Sequence, residues 1–482
     1  MNNDQIGESG GRDWKWLKGV GLAILFAMLS LNLFVAADNA RKAAEESQRE
    51  SAYQTTRLWE DVRERVRQNY VEGGDKLTYE NLTFNALKGM LDSLDPHSQF
   101  MEPRSLKMMR EETNQKFGGL GIEITVRDEF PTVVAPIEDS PAFKAGLMPG
   151  DKIVKVDGVR TERMKLNEVV DKLKGDPGTQ VTIQIFRARE KDPEKQFRDV
   201  TLTRAIIKVA SIKDARMINE KEKVGYLRIT QFGDRTDEEL EDGLKKLEKD
   251  GMKALVIDLR GNPGGLLDTA QHVCEKFVEK GQLIVKTTGR RPGQSRAFLA
   301  ETSGTPRRYP LAILVNNSSA SASEIVAGCL KDLKRAILVG EKTFGKGSVQ
   351  SIIDLEYESK DAEGKPQRVP VAVKITTAEY RTPSNKPIHG HGIEPDIFVP
   401  ITFEEWGKIQ EQRQRERMGE KPPAPDDKTV SLPGGGELKE RPAEDTQLNR
   451  AVDALVGVLI FAESQPKTAP VVAQKQLEAV SQ

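Results

Sequence analysis

Cysteine and histidine are scarce in this chain of 482 residues, which holds Cys274, Cys329 and four histidines. Two thiols exclude a disulfide-stapled scaffold and an all-cysteine zinc site. Four histidines leave little room for imidazole-based metal or proton chemistry. Excess charge of one sign is also missing, since Lys plus Arg total 73 and Asp plus Glu total 74. Duplex binding wants a basic face, so nucleic acid is not an expected partner. What remains is long enough for about three domains with real cores.

One long apolar run stands out. Residues 19–37 carry no charge, and about 20 helical residues span a bilayer core. Arg12, Lys15 and Lys18 precede the run, and Trp14 and Trp16 sit at its edge. This arrangement orients the rest of the chain out of the cytoplasm. A cleaved signal segment, ending after Ala37 with Val35 at the other small-residue position, is the rival reading. The run exceeds the usual h-region, which favours a retained anchor.

Beyond the anchor the pattern changes five times. Residues 40–72 are charged with apolar positions at helical spacing, and a second helix is expected over 79–91. Short strands at 132–135, 152–156 and 180–187, with a helix near 169–173, suggest a compact β-rich module. From Val209 onward the apolar runs 224–229, 254–259, 311–315 and 336–339 read as buried strands. Helical stretches at 237–249, 267–279 and 323–333 alternate with them, an α/β layer pattern. Residues 413–444, rich in Pro, Gly and charge, suit a flexible linker. An apolar helix follows over 448–461, and the last 20 residues read as disordered.

Four short motifs carry the chemistry. Ser318-Ser319-Ala320-Ser321-Ala322-Ser323-Glu324 lies between a buried strand and a helix. A serine there can project toward the positive helix end, although the segment alone favours plain N-capping. Gly340 to Gln350 contains a Gly-rich loop with Lys346. It is not a P-loop, because Gly347 stands where the Mg-binding hydroxyl belongs and a strand follows instead of a helix. Asp258-Leu259-Arg260-Gly261-Asn262-Pro263-Gly264-Gly265 also joins a strand to a helix; its glycines can free backbone N–H groups for a ligand or an oxyanion, and turn chemistry explains them equally well. Gly119-Leu120-Gly121-Ile122 enters a strand and suits a nest for a peptide carboxylate, or an ordinary turn. His389 and His391 form a possible metal pair with no evident third ligand. No histidine pairs convincingly with Ser321, which disfavours a Ser-His-Asp triad.

Together these segments resemble the C-terminal processing, or tail-specific, peptidases: S41 serine proteases with an inserted PDZ domain. The resemblance runs from about Arg57 to Pro400, through blocks at 82–100, 117–124, 258–265, 319–328, 340–350 and 390–396. It implies Ser321 as nucleophile and Lys346, 25 residues later, as general base. It implies Gln350 as the residue that orients the lysine. Oxyanion amides would come from Ala322 and one of Gly264 or Gly265. Gly119, Leu120, Gly121 and Ile122 would bind the substrate's C-terminal carboxylate. No metal and no cofactor are expected.

The implied fold is a multidomain α/β one: an anchor or signal segment at 1–38, a helical region at 39–116 and a PDZ domain at 117–205. A protease core of the ClpP/crotonase-like type follows at 206–402, then a linker at 403–445 and a helix and tail at 446–482. The expected partners are proteins with free C-termini and, through the anchor, the membrane. The expected location is the bacterial cell envelope, on the periplasmic side of the inner membrane. A homo-oligomer or an adaptor protein is compatible with this picture. The rival class is an inert membrane-tethered PDZ scaffold, and a filled set of catalytic positions argues against it.

Overall fold

The computed structural model describes residues 15–188, 190–302, 304–360, 363–419, 429–431, 437–439 and 444–464. It divides into two compact units, Met1–Ser93 and Leu94–Gln482. In the first, α1 (Lys15–Asn69) is one continuous helix, longer than the helix expected over 40–72. After it comes α2 (Tyr79–Asp92), whose N-cap Thr78 accepts a hydrogen bond from Asn81 N–H. Arg63 stacks on both Trp59 and Tyr79 and fixes the turn between the helices. Among the described residues no helix is long and apolar enough to cross a membrane. The expected anchor falls mostly on residues 15–32, whose side chains lie outside the described set.

The second unit opens with β1 (Gln99–Met101) and α3 (Pro103–Thr113). The inserted module follows. Its stem is a two-stranded ribbon of β2 (Lys116–Gly119) with a later strand, described below. Its body contains β3 (Ile122–Arg127), β4 (Phe130–Pro136), α4 (Pro141–Lys144), β5 (Lys152–Val156), β6 (Val159–Arg160), α5 (Leu166–Leu173), β7 (Gln180–Phe186) and β8 (Phe197–Thr203). β9 (Ala205–Lys208) returns beside β2 and closes the stem. The sheet order is β3-β4-β5-β7-β8, with β6 on β5, so β3 is an edge strand. β7 alternates in burial, and its Val181, Ile183 and Ile185 meet Val169 and Leu173 of α5 in a separate core.

The chain then runs β10 (Ile212–Asn219), β11 (Val224–Ile229), α6 (Thr236–Lys249), β12 (Ala254–Asp258), α7 (Leu267–Glu275), β13 (Leu283–Gly289), β14 (Arg296–Leu299), β15 (Leu311–Val315), α8 (Ala322–Asp332) and β16 (Ile337–Gly340). The long hairpin β17 (Ser348–Lys360) and β18 (Pro366–Arg381) follows, then β19 (Ile397–Phe398), α9 (Phe403–Arg417) and α10 (Thr446–Ser464). The central sheet has the order β10-β11-β12-β15-β16-β19, parallel except for β10. β12 and β15 are buried along their whole length, as strands covered on both faces must be. Leu255, Ile257, Ile313 and Val315 face α6, α7 and α8. Val256, Ala312 and Leu314 face Ala451 and Leu455 of α10. A second sheet, β1-β18-β13-β14 with β17 on β18, flanks this layer.

The carboxyl-terminal region departs from the flexible segment expected over 403–445. Its first part is helix α9, with Thr402 capped by Glu405. Arg413 reaches Asp258 at 3.0 Å, and Asp445 forms two hydrogen bonds of 2.8 Å to Arg260. Arg260 is fully buried, its guanidinium shared among Asp258, Asp445 and Gln447. Trp406 lies against the same guanidinium. A charge removed from water demands such pairing. Much of 420–443 and the final residues 465–482 lie outside the described set.

Candidate active site

Three loops leave the carboxyl ends of adjacent parallel strands. β12 runs into 259–266, β15 into 316–321 and β16 into 341–347. In open parallel sheets this edge is where ligands bind. The strands place the serine, glycine and lysine motifs side by side, although more than 80 residues separate the first from the last.

Ser321 precedes α8 with φ 55° and ψ −115°, an unusual conformation for a residue with a Cβ. Such backbone costs about 1–3 kcal/mol and persists only where neighbours hold it. Here Ala320 N–H donates to Asn262 O at 3.0 Å, and Ser323 Oγ donates to the same oxygen at 3.0 Å. Ser321 N–H donates to Glu324 Oε2 at 2.9 Å. The serine side chain is free of capping duty and lies beside the Tyr380 hydroxyl. Burial pushes that phenol up to about 12, so it stays protonated near neutral pH.

Glu324 is the hub. It is fully buried, and its carboxylate also accepts from Gly345 N–H at 2.7 Å, Lys346 N–H at 2.8 Å and Thr343 Oγ1 at 2.5 Å. One side chain therefore ties the serine turn to the lysine loop. Burial raises its proton affinity, while the four donors pull the other way.

Lys346 is half-buried. Burial first, and the charge of Lys374 second, hold its ammonium below the usual lysine range; Glu324 opposes them. The flanking glycines allow close approach. A Cβ on Gly347 would sit 2.2 Å from His389 N, and Gly390 N–H donates to Gly345 O at 2.9 Å. The His389–Gly392 turn thus packs on the lysine loop, and among the described residues no group of three or more His, Cys, Asp or Glu forms a metal site. Gln350 donates to Ser348 Oγ at 2.9 Å and to Thr376 Oγ1 at 3.2 Å. Among the described residues no hydrogen bond joins Lys346 Nζ to Ser321 or to Gln350.

Gly264 and Gly265 differ. Gly264 packs so closely that a Cβ would lie 2.7 Å from Ser321 Cβ, and its N–H donates to Asn262 Oδ1 at 2.8 Å. Gly265 N–H has no hydrogen-bond partner among the described residues, and neither has Ala322 N–H. The remaining candidates lie elsewhere, on the inserted module. Gly119, Leu120, Gly121 and Ile122 line a cavity of about 60 Å3 with Val170 and Leu173 of α5. Leu120 and Gly121 keep their N–H groups free there, while their carbonyls accept from Ala142 and Ile137.

Sequence reasoning gave Glu324, Asn262 and Tyr380 no role. A carboxylate inside an apolar helix start, in an S-x-x-E pattern, was a usable signal. Tyr380 had none, because only the β18 register brings it to the serine.

Comparison with known proteins fits this arrangement. Residues 223–399 match peptidase family S41, and residues 132–187 match the PDZ domain. A carboxy-terminal-processing protease of Bartonella bacilliformis is 38% identical over 447 residues, 91% of this chain and 96% of that protein. A carboxyl-terminal-processing protease of Synechocystis sp. is 35% identical over 341 residues, 69% of this chain and 74% of the other. The solved photosystem II D1 C-terminal processing protease shares 30% identity, covers 71% of this chain and 86% of its own, and superposes with a TM-score of 0.39. With a relative matched almost end to end, the chain belongs to the S41 serine peptidases of the carboxy-terminal-processing group, with a PDZ domain preceding the catalytic core.

Proposed function

We propose that this peptidase cleaves proteins selected by their free C-termini, with a Ser321/Lys346 dyad assisted by Gln350. The observation that carries the reading is the single buried Glu324 carboxylate bonded to the backbone of both Ser321 and Lys346. A lysine acts as base only when neutral, and its ordinary pKa is about 10.4. Burial and Lys374 favour the neutral amine. Neutral Lys346 Nζ takes the proton of Ser321 Oγ as that oxygen attacks the scissile carbonyl. The ammonium then protonates the leaving amine, and water hydrolyses the acyl-enzyme by the same route in reverse. The free N–H groups of Ala322 and Gly265 receive the oxyanion. Gly264 gives space instead, since its N–H is already engaged by Asn262.

The carboxylate of the substrate tail is read by Leu120 and Gly121 N–H, while its strand adds to the open edge of β3. Exposed pairs tie the PDZ domain to α3, Arg104–Asp171 and Lys107–Asp176. Such pairs are worth about 0–1 kcal/mol each, and Glu123 on β3, paired with Arg417 of α9 and Lys213 of β10, is a further tie that tail binding must loosen to move the domain. That movement brings Lys346 Nζ onto Ser321 Oγ. The ClpP/crotonase-like reading of the core rests on the sheet of parallel strands with helices on both faces. Residues 19–37 serve as the membrane anchor, with the catalytic unit on the periplasmic side, supported by the charge-free run behind Arg12, Lys15 and Lys18.

The test is one unstructured peptide, made with a free and with an amidated C-terminus, followed by mass spectrometry. Wild type is expected to cut the free form and spare the amidated one, while Ser321→Ala and Lys346→Ala cut neither. Equal cutting of both forms refutes tail recognition, and an active Lys346→Ala refutes the dyad.

A further inference from the structure

The turn Asp95-Pro96-His97-Ser98 lies far upstream of the catalytic motifs, before the PDZ domain. β1 carries it onto the second sheet, where Gln99 pairs with Lys374 of β18. There Ser98 Oγ accepts Thr376 N–H at 3.1 Å and donates to Asp95 Oδ2 at 2.6 Å. Asp95 Oδ1 accepts the N–H groups of His97 and Ser98 at 2.8 and 2.9 Å, and Thr376 Oγ1 at 3.2 Å. Thr376 pairs with Gln350 across the hairpin, just beyond an irregularity between Val349 and Gln350. Such an irregularity re-aims the side chain that follows it.

The polarity of this chain is fixed at one end. An ionised carboxylate only accepts. Desolvation works against that ionised form, yet the bonds from Ser98, His97 and Thr376 outweigh it and hold Asp95 below the ordinary carboxylate range. The single hydroxyl hydrogen of Thr376 is therefore spent on Asp95. Its lone pairs are left to face Gln350, and only an amide N–H satisfies them. Ser348 Oγ receives the same nitrogen. Gln350 Oε1 is then turned away, with no hydrogen-bond partner among the described residues. A flipped amide would set its oxygen against the Thr376 oxygen, with no hydrogen between them.

We propose that Asp95 is a positioning residue for the peptidase: through Thr376 it fixes the amide of Gln350 with its carbonyl oxygen available to the Lys346 amine. The inference rests on the role given to Gln350 above. It assigns a task to a segment outside the catalytic core, and it makes the base competent only when the 95–98 turn is docked on β18.

The experiment is a double-mutant cycle in the full-length chain. Asp95→Ala and Thr376→Val are each made in wild type and in Gln350→Ala, and kcat and KM are measured on the free-tailed peptide. In wild type both changes are expected to lower kcat about 10-fold with KM within about twofold, the signature of a contact used in the reaction and not in binding. In Gln350→Ala the same changes are expected to cost less than about twofold, because coupled residues are not additive. Thr376→Ser, which keeps the hydroxyl, restores kcat. Melting temperatures separate a lost turn from a misdirected amide, and Thr376→Val leaves the Asp95 turn intact. Equal losses in both backgrounds, or a Thr376→Ser as slow as Thr376→Val, overturn the relay. A Gln350→Ala with wild-type kcat, beside dead Ser321→Ala and Lys346→Ala, overturns it one step earlier, at the role of Gln350.

Discussion

Glu324 is where stability and catalysis meet, and replacing it gives the sharpest test of the site. Its carboxylate satisfies four donors: Ser321 N–H, Lys346 N–H, Gly345 N–H and the Thr343 hydroxyl. Oε2 serves Ser321 and Lys346, while Oε1 serves Thr343 and Gly345. Glutamine keeps one of these oxygens. Its lower-cost orientation points the amide nitrogen at Thr343, whose hydroxyl turns and accepts. Ser321 and Lys346 then remain held, and one buried N–H, that of Gly345, is stranded. A stranded buried donor costs about 1–3 kcal/mol, with a further loss from replacing charged by neutral acceptors.

Glu324→Gln is therefore expected to lower unfolding free energy by about 2–4 kcal/mol and to keep measurable cleavage. Glu324→Ala strands several donors at once and releases the strained Ser321 backbone. For it we expect a larger stability loss and a kcat at least about 1000-fold down, since a misplaced nucleophile forfeits much of the advantage of orientation. Urea unfolding with a fixed slope gives the first quantity, and single-turnover cleavage the second. A Glu324→Ala protein that cuts at the wild-type rate refutes the reasoning, because the Ser321 turn would then hold without the Glu324 carboxylate.

Four further outcomes follow from the same geometry. kcat/KM should rise with pH as Lys346 loses its proton, with a midpoint below the ordinary lysine value; Lys374→Gln removes a like charge, eases protonation and moves that midpoint up. Because the folded chain binds fewer protons there than the unfolded one, raising the pH between the two lysine values also favours the folded state, measurable by denaturation at several pH values. Gly264→Ala puts a Cβ 2.7 Å from both Ala320 O and Ser321 Cβ at φ 104°, and should cost about 100-fold in kcat, the scale of a reacting group displaced by about 1 Å. Asp445→Ala removes one of the acidic partners of fully buried Arg260 and should cost about 3–5 kcal/mol in urea unfolding, against no change if 444–447 were a loose tail.

The legible parts of this molecule are those written in local pattern. The buried runs 254–258 and 311–315 announced parallel strands because both faces are covered, and the turns after them, Gly-rich at 261–265 and Ser-rich at 318–323, announced a site. What stayed hidden depends on register and on pairing across long distances. Nothing in 403–445 signals that Arg413 and Asp445 meet at Arg260, since a charged, Pro-rich stretch reads as solvated until its partners are known. The choice between Gly264 and Gly265 was likewise closed to the sequence. It turns on Asn262, whose side chain takes up one amide and leaves the next one free. The same holds for Asp95 and Tyr380, which reach the catalytic loops only because β18 pairs with β1 on one side and β17 on the other. A strand long enough to touch both the start of the unit and its lysine loop makes the site a property of the whole fold. Catalysis should therefore respond to changes at Asp95, some 250 residues before Lys346.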